Sequence, residues 1–155
     1  MGSILIVDDE KDIVQLMSET LNQWGYHTIT AQDGQEALEK FRQKPVDVVV
    51  TDLKLPGMDG VKLLEEIKQI DEETEVIVIT GYPAVNSAVE AMKRGAHDYL
   101  IKPIDMSEFK LKLEQGLEKK DLKQSMSMLK GLNWALIISI PIWLVLGIYL
   151  IYLLK

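Results

Sequence analysis

The chain has 155 residues, enough for one domain and an appendage but short for two full-sized domains. With 47% hydrophobic and 26% charged residues it is too apolar for a disordered chain, and the absence of Cys excludes disulfides, thiolate metal sites and cysteine nucleophiles. Lys plus Arg number 17 against 24 for Asp plus Glu, a net charge of -7, which argues against direct nucleic-acid contact through a broad basic surface.

Five short apolar runs, most of them rich in β-branched residues, read as strands at 4–7, 27–31, 46–51, 76–80 and 98–101. The first is cut short by Asp8, Asp9, Glu10, Lys11 and Asp12, which is unlike a secretory signal. Helical stripes separate and follow the strands: Ile13, Leu16, Met17, Leu21 and Trp24; Ala37, Leu38 and Phe41; Leu63, Leu64 and Ile67; Val85, Ala88, Val89 and Met92; and Phe109, Leu113 and Leu117. Five alternations of strand and helix predict an α/β fold, a doubly wound five-stranded parallel sheet with helices on both faces. Charge is uneven along it, with 10 basic and 20 acidic side chains over 1–105, 6 and 4 over 106–133, and only Lys155 beyond.

Ligands of such sheets bind at the carboxyl ends of the strands. The residues there are Asp8 and Asp9 after the first run, Asp52 after the third, Thr80 ending the fourth and Lys102 after the fifth. Crowded carboxylates repel unless a hard cation neutralises them, and an oxygen-rich site suits Mg2+. A metal beside a lysine is what phosphoryl transfer needs, since its catalysis is mainly positioning and charge neutralisation. Each residue also has a plainer reading. Asp8 and Asp9 read as helix caps, Asp52 before Pro56 and Gly57 as a turn residue, and Thr80 before Gly81 as a strand end. Lys102 reads as a solvated lysine before a loop-breaking Pro103, and Tyr99 as a core or rim aromatic. The joint placement of five such residues on one sheet edge is what favours chemistry.

The motifs Ile-Leu-Ile-Val-Asp-Asp-Glu at 4–10, Thr-Asp-Leu-Lys-Leu-Pro-Gly-Met-Asp-Gly at 51–60, Val-Ile-Thr-Gly-Tyr at 78–82 and Gly-Ala-His-Asp-Tyr-Leu-Ile-Lys-Pro at 95–103 carry a resemblance. Over residues 2–120 the chain resembles the receiver domain of two-component response regulators, most closely receivers of nitrogen-regulation-type activators. The resemblance implies a flavodoxin-like strand order 2-1-3-4-5. It implies that Asp52 accepts a phosphoryl group from a sensor histidine kinase or phosphotransfer protein. Mg2+ would be held by Asp9, Asp52 and the Lys54 backbone carbonyl, with Asp8 acting largely through water. Lys102 would pair with a phosphoryl oxygen, Thr80 would hydrogen-bond the phosphoryl group, and Tyr99 would shift in response. The activity implied is that of a phosphoacceptor signalling domain, self-catalysing transfer and dephosphorylation at Asp52, and not of an ordinary enzyme. Haloacid-dehalogenase-like phosphatases need a second Asp two residues after the nucleophile, where this chain has Lys54, and a dinucleotide site needs a Gly-rich turn where this chain has Asp-Asp-Glu.

Residues 134–154 contain no charge, and as a helix at about 1.5 Å per residue they span roughly 31 Å, close to a bilayer's hydrocarbon thickness. Trp134 at one end and Tyr149 and Tyr152 toward the other match interfacial aromatic belts. The expectation is a receiver domain over 1–120, a juxtamembrane linker or helix extension over 121–133, and a C-terminal transmembrane helix over 134–154 in contact with membrane lipid; a buried helix or hydrophobic hairpin is the plainer reading. Lys119, Lys120, Lys123 and Lys130 before the span, against Lys155 after it, predict a single-pass inner-membrane protein with its receiver domain in the cytoplasm. The expected function is a phosphorylation-dependent switch. Its face around the fourth helix, fifth strand and fifth helix would control an output partner at the membrane, with homodimers forming on phosphorylation. The alternatives are a phosphate sink for a kinase and a phosphorylation-independent membrane adaptor.

Overall fold

The computed structural model describes the backbone of residues 2–153 and, within it, the side chains outside 128–140, 142–144, 147–148 and 151–153. Strands β1 (Ser3–Val7), β2 (His27–Ala31), β3 (Val48–Asp52), β4 (Glu75–Thr80) and β5 (Asp98–Ile101) alternate with helices α1 (Lys11–Gln23), α2 (Gly34–Gln43), α3 (Gly60–Ile70), α4 (Val85–Lys93) and α5 (Met106–Leu153). All pairings are parallel, in the order β2-β1-β3-β4-β5. The five-stranded, doubly wound sheet expected from the alternation is therefore present.

Side chains alternate across the sheet with period two, which produces two cores from one set of strands. Leu5, Val7, Val49, Val76 and Val78 meet Ala37, Leu38, Phe41, Leu63, Leu64 and Ile67 of α2 and α3 on one face. Ile4, Ile6, Val48, Val50, Ile77 and Ile79 meet Met17, Leu21, Phe109 and Leu113 of α1 and α5 on the other. Strands covered on both sides need apolar residues at every position, which is why these runs are uninterrupted. Each fully buried Leu or Ile contributes about 1.5–3 kcal/mol relative to exposure.

Local signals fix the helix starts on one side of the sheet. Asp33 caps α2 by accepting from the Glu36 amide at 2.8 Å, and Glu36 reaches back to the Gln32 amide at 2.8 Å. Asp59 caps α3 through the Lys62 amide at 2.7 Å. Neither α1 nor α4 has a side-chain cap.

The helical stripes are corrected in two places. On α1 the buried residues are Val14, Met17 and Leu21, while Leu16 faces solvent. On α4 only Ala91 is buried; Val85, Val89 and Met92 are exposed, Val85 to 81%. A single alanine seats this helix close to the sheet, so its larger apolar side chains point away from the core.

The chain divides into two compact units, 1–120 and 121–155. In the second, the described side chains of Leu122, Met126, Val145, Leu146, Tyr149 and Leu150 are exposed on α5. Leu129 and Asn133 of the expected pairing seam, and most side chains of 134–154, lie outside the described residues. The expected transmembrane helix and inner-membrane location are corrected here: among the described residues no helix is long and apolar enough to cross a membrane. A span needs about 20 consecutive apolar residues in one helix, and no such run lies among the described residues. The charge argument for orientation also loses two of its lysines, because Lys119 is engaged with Glu75 of β4 and Lys120 with Asp47 just before β3.

Candidate functional site

Register places the expected site residues side by side. Val7 lies opposite Thr51 in the β1/β3 ladder, so Asp8 and Asp52 leave adjacent strand ends together. Thr80 ends β4 opposite Ile101, and Lys102 follows immediately, with its amide bonded to the Thr80 carbonyl at 2.8 Å. The Lys102–Pro103 peptide bond is cis. Gly60 sets the entry of α3 beneath this edge: a Cβ there would run into the Asp52 carbonyl oxygen, and its amide bonds the Leu53 carbonyl at 2.8 Å.

Asp8 and Asp52 are both buried and divide their carboxylate oxygens in the same way. One oxygen of each holds the following loop, Asp8 Oδ1 accepting from the Glu10 amide at 2.9 Å and Asp52 Oδ1 from the Lys54 amide at 2.8 Å. The other turns inward, Asp8 Oδ2 and Asp52 Oδ2 lying 2.8 and 2.7 Å from Lys102 Nζ. Turn and site readings of these aspartates are thus both realised, one per oxygen. The helix-cap reading is not, since the N-cap of α1 is Glu10.

Glu10 Oε1 stands 3.8 Å from the same ammonium, a contact the sequence reading missed although Glu10 lies in the Asp-Asp-Glu motif. Burial by itself would lower the Lys102 pKa; the hydrogen bonds to Asp52 and Asp8 and the charges of both outweigh it and hold the group above the ordinary lysine value. The ammonium is therefore a fixed positive charge at the meeting point of two carboxylates.

The other expected residues are placed less centrally. Asp9 is exposed on the loop beside Asp8. Thr80 is fully buried, and its hydroxyl accepts from the Tyr82 amide at 3.1 Å. Tyr99 packs against the α2/α3 core, with its hydroxyl buried. Burial pushes the pKa of that phenol up, the Ala84 backbone opposes this, and the Asp52 charge adds to it. A second missed contact spans the mouth of the site, where Lys54 Nζ lies 3.5 Å from the centroid of the Tyr82 ring.

The donor set suits a hard divalent cation in kind. Two buried carboxylates aim oxygens at one cationic point, with Asp9 exposed on the loop after β1. Among the described residues, however, no three His, Cys, Asp or Glu side chains are drawn together closely enough to hold a metal ion. Lys102 already bridges the two inward oxygens.

Residues 4–114 match the response regulator receiver domain. The chain belongs to the response regulator receiver family. It is 41% identical to the transcriptional regulatory protein ZraR of Klebsiella oxytoca over 122 residues, covering 79% of this chain and 28% of that protein. It is 39% identical over 107 residues to sporulation initiation phosphotransferase F of Bacillus subtilis, covering 69% of this chain and 86% of that one. The beryllofluoride-activated NtrC4 receiver domain dimer aligns with a TM-score of 0.74 at 38% identity, covering 77% of this chain and 99% of that one. The chain thus spans little more than a quarter of the ZraR protein it matches.

Membership makes the chain a phosphorylation-dependent switch of a two-component system, a phosphoacceptor signalling domain and not a classical enzyme. Receivers accept their phosphate from histidine kinases and generally bind Mg2+ at the phosphorylation site. The ZraR protein is named a transcriptional regulatory protein, which lends the inner-membrane expectation no support.

Proposed function

We propose that Asp52 is the phosphoacceptor of this receiver, a reading supported above all by its buried Oδ2 held 2.7 Å from Lys102 Nζ. A carboxylate oxygen of Asp52 attacks the phosphorus of a phosphohistidine on a sensor kinase or phosphotransfer protein. The new P–O bond forms as the P–N bond breaks, giving an acyl phosphate and returning the imidazole to the donor. Water later attacks the same phosphorus, restoring the carboxylate and releasing inorganic phosphate. Lys102 neutralises charge on the transferred group throughout.

Asp8, Asp9, Asp52 and the Lys54 carbonyl are the groups that would hold Mg2+. When bound, the ion supplies further neutralisation of the phosphoryl oxygens. Thr80 exchanges its bond with the Tyr82 amide for one to the phosphoryl group, and Tyr99 repositions as the intervening loop is drawn in. A conformation that contacts the phosphoryl group better gains population only by that difference in affinity.

The switch is read on the face of α4, β5 and α5, where Val85, Val89, Met92, Ile101 and Leu111 are exposed. Apolar surface of that extent favours a bound output partner over a pure phosphate sink. A homodimer forming through this face on phosphorylation belongs to the same reading, the NtrC4 receiver being described as a dimer when activated. Residues 1–120 constitute the receiver, and 121–133 continue from it as a connecting segment.

The test is to incubate the full chain with acetyl phosphate and MgCl2 and read intact mass and oligomeric state. One added phosphoryl group on the wild type and none on Asp52→Asn is expected, with dimer formed only in the former. Equal labelling of Asp52→Asn would remove Asp52 from the acceptor role.

A further inference from the structure

Two loops flank the acceptor edge of the sheet, 53–59 after β3 and 81–84 after β4. Lys54 stands on the first and Tyr82 on the second. Each is fastened through its amide to a side chain of the site, Lys54 to Asp52 Oδ1 at 2.8 Å and Tyr82 to the Thr80 hydroxyl at 3.1 Å. Their own side chains then meet, the Lys54 ammonium lying 3.5 Å from the centroid of the Tyr82 ring. Among the described residues no carboxylate pairs with that ammonium. The second loop is lightly held: residues 81–86 are exposed, α4 starts without a side-chain cap, and its buried residue, Ala91, lies near its far end.

Resting on the reading that Asp52 carries the phosphoryl group, we propose that Lys54 is a positioning residue that exchanges partners. It holds Tyr82, and with it the β4–α4 loop, while Asp52 is unmodified, and it turns to a phosphoryl oxygen once Asp52 is charged. An ammonium over an exposed ring gains a modest attraction, whereas one beside an anionic oxygen gains a charge-assisted hydrogen bond, so the anion wins the competition. Lys54 follows Asp52 by two residues, and its exposed, flexible four-carbon stem lets the ammonium swing from the ring to a group on that aspartate. Lys102 is unsuited to such a role, being held between the buried Asp8 and Asp52. The loop is thus released as the Thr80 hydroxyl turns to the same group. Because the ring contact stabilises the unmodified form alone, it opposes the switch, and the factor by which it does so is lost from the affinity for the anion.

The probe is beryllium fluoride with MgCl2, a tetrahedral anion that stands in for the phosphoryl group, titrated calorimetrically into the full chain. Tyr82→Leu removes the ring at an exposed position and is expected to bind the anion about two- to fivefold more tightly than wild type. Tyr82→Phe keeps the ring and binds as wild type does. In a Lys54→Met background, where the stem remains without its charge, Tyr82→Leu changes nothing. Unchanged or weaker binding by Tyr82→Leu, equal tightening in Tyr82→Phe, or tightening that survives Lys54→Met would overturn the exchange while leaving Asp52 as the acceptor. An Asp52→Asn chain that binds the anion as tightly as wild type would overturn the acceptor reading itself, and the exchange with it.

Discussion

Lys102 at the carboxyl edge of the sheet and Lys120 at its amino edge are both ammonium groups set between two aspartates, with side chains 18% and 5% exposed. Their surroundings differ. The partners of Lys102, Asp8 and Asp52, are buried with it. Those of Lys120, Asp47 and Asp71, are reached by solvent, and its shortest bonds go to the Val46 carbonyl at 2.7 Å and the Thr74 hydroxyl at 3.3 Å. At the carboxyl edge buried negative charge exceeds the positive charge beside it, an arrangement that invites a further cation, whose charge would then let an anionic phosphoryl group approach. At the amino edge the lysine is saturated by backbone, hydroxyl and water-screened acids, which makes it a fastener. Similar residue types perform chemistry or hold structure according to which partner is buried.

The largest effect that separates the edges is on phosphorylation. Asp52→Asn should abolish the acyl phosphate while leaving a cooperative unfolding transition, whereas Lys120→Met should be labelled at the wild-type rate. The second effect is on stability and runs the other way. Lys120→Met removes the ammonium that donates to the buried Val46 carbonyl and Thr74 hydroxyl, leaving that carbonyl only the Thr74 hydroxyl at 3.2 Å, at a cost of about 1–3 kcal/mol by denaturant unfolding. A Lys120→Met chain that is as stable as wild type but cannot be phosphorylated would erase the distinction drawn here.

The same contrast explains what could be read from the sequence. The sheet was legible because strands covered on both faces show as uninterrupted apolar runs, and the carboxyl edge because its residues directly follow those runs. Asp8, Asp52, Thr80 and Lys102 each adjoin or end a strand, so chain order alone brings them together. The amino-edge cluster carries no such marker. Glu75, His97 and Lys119 are far apart in sequence, and Lys119 and Lys120 in particular read as membrane-flanking charges until packing shows them against β4 and the loop before β3. Helix α4 failed for a different reason: Val85, Val89 and Met92 repeat at helical spacing as a core stripe does, and periodicity cannot say which face of a helix the sheet covers. Replacing Val89 by Thr should therefore change stability by no more than about 0.5 kcal/mol, as at an ordinary surface position. A loss of several kcal/mol in chemical denaturation would return that stripe to the core.

The smallest expected effect concerns pH at the amino edge. Burial alone would raise the pKa of Asp71; the Thr74 hydroxyl at 2.6 Å, the Glu73 amide at 3.0 Å and the Lys120 ammonium outweigh it and leave the carboxyl below its ordinary value. A carboxyl whose pKa is depressed by folding contributes stability that is fully present above its unfolded value and is lost as pH falls through the folded one. The stability gap between wild type and Asp71→Asn should accordingly be flat above about pH 5 and shrink below about pH 4. Because Asp71 is partly exposed, solvent screening keeps this gap small. A gap that stays constant down to about pH 3, or widens in acid, would mean that folding does not depress the Asp71 carboxyl.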